Sequence, residues 1–193
     1  MKNRPANELV RAQATRHLEA YLHALGLDAR EGELRGTPAR VAEMMETLLA
    51  GHDPEQAPDL SPIANADGTV GLVLVRDLPF YSLCVHHLLP FFGHAHIGYL
   101  PSDRLAGLGD LAKTLAYFSH RLTLQESIAA DTAAYLEDQL QARGVAVLLE
   151  GRHLCLEMRG QEKEATFEAA AYRGALADEK QRFEFLSRLR RDA

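Results

Sequence analysis

The sequence contains only two cysteines, Cys84 and Cys155, among its 193 residues. This low number excludes the disulfide framework that holds many small secreted proteins together, and it favours free thiols or metal ligands. The sequence also lacks an apolar run close to the roughly 18 residues that a membrane-spanning helix needs. Its first residues, MKNRPANELVRAQATRH, lack the apolar segment of a signal peptide. These absences predict a cytoplasmic protein that does not enter a membrane.

An excess of positive charge is missing as well. The 21 Lys and Arg residues are outnumbered by 27 Asp and Glu residues, which gives a formal net charge of -6 and a pI near 5.8. A surface of this sign repels nucleic acids and anionic membranes, so neither is expected as a partner. The length suits one main domain with a helical annex. We therefore predict an N-terminal helical extension over residues 1–55 and a main domain over residues 56–193.

The spacing of the apolar residues divides the chain into helices and strands. Helical spacing predicts helices over residues 6–25, 37–50, 108–122, 124–142 and 178–191. Alternation predicts strands over residues 70–82, 93–101, 144–150 and 152–160, with a further short strand over 165–174. This order of elements predicts an α+β fold in which helices cover one face of an antiparallel four-stranded sheet. Because such a sheet has unpaired edges, we expect several copies of the chain to assemble.

The segment 152–160 carries an alternating pattern of polar and apolar side chains. On a strand, this pattern places four polar or reactive residues on one face: His153, Cys155, Glu157 and Arg159. The pattern alone is also typical of a sheet with one solvated face, and a single histidine is more often a solvated or core residue than a ligand. Both alternatives remain open for each residue taken singly. The clustering of both cysteines with histidines favours a functional site.

The two cysteines and their neighbouring histidines match the donors of a zinc site. Cys84 and His87 have the close spacing of metal ligands, and Cys155 is a candidate third ligand from a neighbouring strand. Three protein ligands of this type leave a tetrahedral zinc with one open position, where water can bind and be activated. His86 and His153 remain as imidazoles suited to proton transfer near neutral pH.

Four segments of the chain resemble the GTP cyclohydrolase I family. RDLPFYSLCVHHLLPFFGHAHIGYLP is similar to its zinc-binding segment, and GVAVLLEGRHLCLEMRG is similar to its second metal strand. REGELRGTPARVAEMMETLLAG and RLTLQESIA resemble a helical segment and the Gln-Glu segment of the family. The resemblance extends from about residue 8 to residue 163. It implies a T-fold, with residues 56–193 as the catalytic domain, and a homodecamer built from two pentameric rings.

The resemblance also implies a reaction. Members of the family hydrolyse the imidazole ring of GTP at C8, release formate and form a dihydropterin. By similarity, Cys84, His87 and Cys155 would hold Zn²⁺, while His86 and His153 would transfer protons.

Substrate contacts follow from the same resemblance. Glu126 would recognise the purine, because one carboxylate accepts hydrogen bonds from both N1–H and the 2-amino group of guanine. Gln125 would lie beside it, and Arg40, Lys113 and Arg159 would bind the phosphates. A structural alternative is that the segment from Thr123 to Glu126 only forms a capping box at the start of a helix.

The chain departs from the family pattern at several positions. Val85 replaces a glutamate next to the metal ligands, and Glu43 and Asp110 replace lysines at the phosphate end, where Gly109 also replaces a serine. Because a triphosphate site depends on Lys, Arg and helix N-termini, these changes point to altered phosphate recognition. Three hypotheses follow: a GTP cyclohydrolase I, a paralogue acting on a purine-like heterocycle with few or no phosphates, and a non-catalytic zinc-binding member. The retained metal ligands and histidines argue against the last.

Overall fold

The computed structural model describes residues 5–159 and 163–189. The chain forms two compact units, and the boundary between them lies between Leu49 and Ala50. The first unit contains α1 (Pro5–Ala24) and α2 (Thr37–Leu48), which pack against each other. Arg11 of α1 donates two hydrogen bonds, of 2.8 and 2.6 Å, to the carboxylate of Glu46. This two-pronged ion pair links the two helices.

The second unit combines a five-stranded sheet with helices. The strands of the unit are β1 (Ile63–Ala64), β2 (Val73–Cys84), β3 (Pro90–Leu100), β4 (Arg104–Leu105), β5 (Leu122–Thr123), β6 (Gly144–His153) and β7 (Phe167–Gly174). The helices are α3 (Leu108–Ser119), α4 (Gln125–Leu140), the single turn α5 (Leu154–Glu157) and α6 (Glu179–Leu189). The α+β class predicted from the sequence is confirmed. Residue 160, at the end of a predicted strand, and residues 190 and 191, at the end of a predicted helix, lie outside the described residues.

The sheet differs from the predicted one in the number of its strands and in the relative direction of two of them. Its order is β5-β2-β3-β6-β7, and the pairing is antiparallel except between β2 and β5, which run parallel. The prediction of four antiparallel strands is therefore wrong. The fifth strand, β5, has only two residues, too few for an alternating pattern to be visible in the sequence.

One long strand, β6, replaces two predicted strands. It continues through Gly151, which pairs with Gly93 of β3, and ends at His153, which pairs with Phe91. The next residue of β3 is Pro90, the first of that strand, and proline has no N–H with which to continue a ladder. The ladder between β3 and β6 thus stops at His153, and Leu154–Glu157 form a helical turn instead. The predicted strand over 152–160 is wrong for this reason.

Helices cover both faces of the sheet, so the prediction that they cover one face is also wrong. On one face, Val145, Val147 and Leu149 belong to the large core that includes residues of α3 and α4. On the other face, Ala146 and Leu148 pack with Phe185 of α6. The helix α6 thus closes the second face. None of the helices in the described ranges combines the length and the apolar character needed to cross a membrane.

Candidate metal centre and catalytic site

A tight loop between β2 and β3 brings His87 back to Cys84. The Cys84 carbonyl accepts hydrogen bonds from the backbone N–H groups of His87 (3.3 Å) and Leu88 (2.9 Å), and the Cys84 N–H donates to the Leu89 carbonyl (2.9 Å). Leu88 has a φ of 58°, in the left-handed region that few residues other than glycine adopt. These bonds place both side chains at the end of the sheet where β2 ends.

Cys155 reaches the same end of the sheet from the helical turn α5. The strand β6 ends there because His153 pairs with Phe91 near the start of β3, and Cys155 follows two residues later. Glu157, predicted to share a face with Cys155, instead accepts hydrogen bonds of 2.7 and 3.0 Å from Arg152.

The ligand atoms of Cys84, His87 and Cys155 all lie within 4.8 Å of one another. In a tetrahedral zinc site, with Zn–S near 2.3 Å and Zn–N near 2.1 Å, neighbouring ligand atoms lie about 3.6–3.8 Å apart. The three side chains thus need to close by only about 1 Å at most to hold such an ion. Cys84 is buried, Cys155 is half-buried and His87 is exposed. The two thiols and one imidazole form a donor set that suits zinc and leaves one position open.

The thiols of this cluster are free and interact with each other. Burial raises the pKa of the Cys155 thiol, and a hydrogen bond to Cys84 raises it further, whereas Arg159 acts in the opposite direction. Without a cation, the Cys155 thiol therefore favours its protonated form. A bound divalent cation would favour the thiolates, since metal binding releases protons from its ligands.

His86 lies beside the cluster. Its Nδ1 is 3.9 Å from the Cys84 Sγ, and its ring centroid is 6.1 Å from that of His87. Both His86 and Val85 are exposed. The imidazole thus adjoins a ligand without belonging to the three-residue group.

His153 is held in place by three neighbours. Its ring stacks on Phe91 with centroids 4.7 Å apart and meets the edge of Phe167 at 5.4 Å. Its Nε2 is 2.9 Å from the Oε1 of Gln125. Burial lowers the pKa of His153 below its ordinary value, while the carboxylates of Glu126 and Glu157 act in the opposite direction. The ring is therefore fixed, and the neutral imidazole is favoured near pH 7.

Gln125 and Glu126 lie together in the first turn of α4 but in different surroundings. Gln125 is completely buried, and its amide is hydrogen-bonded to two carbonyls and to His153. These bonds use the amide for contacts within the protein, and the contact of Gln125 with substrate stays a prediction. Glu126 is exposed and close enough to raise the pKa of His153. Leu124 caps the helix without a side-chain hydrogen bond, so the capping-box alternative is not observed.

Asp110 and Lys113 interact with each other on α3. Asp110 is 8% exposed, and its Oδ2 accepts a hydrogen bond of 3.2 Å from the backbone N–H of Ser61. The Nζ of Lys113 is 3.5 Å from the other carboxylate oxygen. No heavy atom lies within 4 Å of the position that a Cβ on Gly109 would take. Asp110 thus anchors the segment at Ser61 and partly neutralises Lys113.

Arg40 and Glu43 both belong to α2 in the first unit. The guanidinium of Arg40 donates to the Thr37 hydroxyl (2.9 Å) and to the Arg35 carbonyl (3.4 Å). Glu43 has a side chain 67% exposed, with an oxygen 3.6 Å from Arg11. Within this unit, Glu43 is a solvated face residue. Arg159, in the second unit, is exposed.

The sequence shows similarity to named proteins over most of its length. The profile of the family GTP cyclohydrolase I matches residues 14–190. The GTP cyclohydrolase 1 of Rhodopirellula baltica is 40% identical over 194 aligned positions, which cover 100% of this chain and 84% of that protein. The GTP cyclohydrolase 1 of Campylobacter jejuni (strain RM1221) is 41% identical over 160 residues, or 82% of this chain and 84% of that protein.

A fusion protein also contains a region similar to this chain. The bifunctional protein FolKE of Lactococcus lactis strain IL1403 is 40% identical over 157 residues, which are 80% of this chain and 45% of that protein. The chain therefore spans about half the length of this relative, whereas it spans most of the length of the two proteins above. From the profile match and these identities, we conclude that the chain belongs to the GTP cyclohydrolase I family.

Proposed function

We propose that this protein is a zinc-dependent cyclohydrolase that hydrolyses the imidazole ring of GTP at C8, releases formate and yields a dihydropterin-type product. The observation that carries this proposal is the convergence of Cys84, His87 and Cys155 within 4.8 Å at one end of the sheet. Membership of the GTP cyclohydrolase I family supports the reaction class. A binding protein would not need an open metal site flanked by two further imidazoles.

Cys84, His87 and Cys155 would hold the zinc ion. When bound with one open position, zinc supplies a Lewis acid that makes water nucleophilic near neutral pH. The end of β2 with the loop that follows it, and the helical turn α5, provide the donors from two separate segments, so the site forms only when the sheet has formed. The burial of Cys84 shields one side of the site from solvent.

His153 and His86 would transfer the protons that ring hydrolysis requires. Cleavage of the two C–N bonds at C8 needs protons removed from water and delivered to the ring nitrogens. His153 is suited to accept a proton, because burial favours its neutral form, and its packing against Phe91 holds the ring still. His86 is exposed and therefore suited to exchange protons with solvent.

Glu126 would recognise the guanine base, and the predicted cations would bind the phosphates. Glu126 is exposed in the first turn of α4 and near His153, which suits a carboxylate that accepts from N1–H and the 2-amino group. Lys113, Arg159 and Arg40 are the proposed phosphate ligands. Each is a cation with an exposed side chain.

The proposed assembly is a T-fold homodecamer of two pentamers. It is supported by the edge strands β7 and β5, each of which pairs with a single neighbour among the strands of the described residues. The mass of the purified protein in sedimentation equilibrium tests this proposal. A stable monomer would contradict it.

Turnover of GTP by the zinc-loaded protein tests the proposed function. We expect formate to accumulate together with a new ultraviolet absorption from the pterin ring. Protein depleted of zinc with a chelator should release no formate until zinc is restored. Zinc-loaded protein that leaves GTP intact would contradict the proposal.

The ion pair between Asp110 and Lys113 favours a second candidate function, the hydrolysis of a purine-like heterocycle with few or no phosphates. A carboxylate next to a proposed phosphate ligand opposes the binding of a polyanion. Asp110 also has a structural role, because it accepts a hydrogen bond from the backbone N–H of Ser61.

The variant Asp110→Asn separates these two roles, because asparagine keeps an acceptor for Ser61 and removes the charge. If the charge weakens phosphate binding, the variant should bind GTP about 3- to 10-fold more tightly at low salt, and the gain should shrink as salt rises. Guanosine is the control and should bind with unchanged affinity. Equal GTP affinity in both proteins would remove the support for the second candidate.

A further inference from the structure

Gln125 makes three hydrogen bonds that determine the orientation of its amide. Its Nε2 donates to the carbonyl of Leu149 on β6 (2.9 Å) and to the carbonyl of Phe167 on β7 (2.8 Å). Both partners can only accept, so the NH₂ group must face them. The Oε1 is left facing the Nε2 of His153 at 2.9 Å. The Gln125 side chain itself is shielded from solvent, since Gln125 has no exposed surface.

This orientation decides which nitrogen of His153 carries a hydrogen. The amide oxygen can only accept, so the Nε2 of His153 must be a donor. A neutral imidazole has one N–H, and its lone pair is then on Nδ1. Within the described ranges, the His153 Nδ1 has no hydrogen-bond partner. The nitrogen that is free to exchange a proton is therefore Nδ1.

Gly151 provides the space that the Gln125 amide occupies. A Cβ at this position would lie 2.7 Å from the Gln125 Oε1 and 3.1 Å from the Phe80 ring. Any larger residue would displace the amide oxygen or the surrounding strands. The contact between Gln125 and His153 thus depends on the absence of a side chain at Gly151.

We propose that Gln125 is a positioning residue that holds His153 in the Nε2–H tautomer and presents Nδ1 for proton transfer. This inference rests on the proposed function, because it assigns His153 its role in turnover. It gives Gln125 a role other than the predicted contact with substrate. Gln125 acts through His153 and does not touch the reacting atoms.

Neutron diffraction from crystals of the full-length protein in D₂O, grown near neutral pH, tests the tautomer without any need for turnover. We expect deuterium on the Nε2 of His153 and two deuterons on the Gln125 nitrogen, directed at the Leu149 and Phe167 carbonyls. Deuterium on Nδ1 alone, or a reversed amide, would overturn the proposal. This result is independent of which substrate the protein uses.

Kinetics test the consequence of the contact. Gln125→Met keeps the side-chain length and removes the hydrogen bonds, and we expect a loss in kcat of about 10- to 100-fold, the range for residues that orient a functional group. The KM should change by less than about threefold, and the zinc content should not change. Gly151→Ala, with Gln125 intact, should also lower kcat, because the added methyl group displaces the Gln125 amide.

Tyr99→Phe is the control for a loss of stability. Tyr99 is 1% exposed, and its hydroxyl accepts a hydrogen bond from the Ala106 N–H (2.9 Å). It lies eight residues along β3 from Phe91 and therefore far from His153. We expect this variant to lose thermal stability and to retain kcat. Wild-type kcat in both folded variants, Gln125→Met and Gly151→Ala, would overturn the proposal. If Gln125→Met does not fold, Gly151→Ala alone decides.

Discussion

Replacing Cys155 with alanine is expected to remove the bound zinc and to lower the turnover of GTP by about 10³-fold or more, because the reaction depends on the metal. The donor atoms of Cys84, His87 and Cys155 lie within 4.8 Å of one another, so each of the three residues can coordinate the same ion. Two remaining ligands would bind zinc much more weakly than three. Cys155 is the preferred site for this change because it is only half-buried, whereas Cys84 is part of the core.

Metal analysis and activity are measured on the same preparations. His86→Ala is the matched control, because His86 adjoins Cys84 at 3.9 Å but does not belong to the three-residue group. It should retain about one zinc per chain. Full zinc occupancy in Cys155→Ala would refute the three-ligand site. Loss of zinc in His86→Ala would show that a ligand and a proton carrier have been exchanged.

Replacing His153 with alanine should leave the zinc in place and lower kcat by about 10²- to 10⁴-fold, the usual contribution of a general acid or base. The reason is that His153 contacts Gln125, Phe91 and Phe167, and none of these is in the metal cluster. Removal of its ring leaves a cavity between the two phenylalanines. Zinc content, kcat and the circular dichroism spectrum distinguish loss of chemistry from loss of fold.

Added imidazole provides a further control for this variant. A small imidazole that enters the cavity should restore part of the rate in His153→Ala. It should not restore Cys155→Ala, in which the metal is absent. A His153→Ala protein with full activity would exclude the histidine from the mechanism.

The sequence predicted which residues cluster at the candidate metal centre better than it predicted the elements that carry them. Cys84 and His87 are close in sequence, so one tight loop brings them together. Their spacing alone is therefore sufficient to predict that they lie side by side. Cys155 was predicted on a strand, but it lies on a helical turn because β6 loses its partner at Pro90. Where a strand ends depends on the length of its neighbour. That length is a property of the sheet and is not visible in the alternation of one segment.

The burial of Gln125 could not be predicted from the sequence for a similar reason. The sequence places Gln125 next to Glu126, and helical spacing does not show that one is buried and the other exposed. The burial of Gln125 depends on the close approach of Gly151 on β6 and on carbonyls at Leu149 and Phe167. These partners are 24 to 42 residues away in sequence. The placement of α6 on the second face of the sheet likewise depends on tertiary packing around Phe185.

The fate of C8 in GTP tests the central claim most directly. The full-length, zinc-loaded protein is incubated with GTP labelled with ¹³C at C8, and the label is followed by ¹³C NMR. The account predicts that the purine signal is replaced by that of formate, and that protein without zinc leaves the purine signal unchanged. A label that stays in the purine, or that appears in a product other than formate, would contradict it.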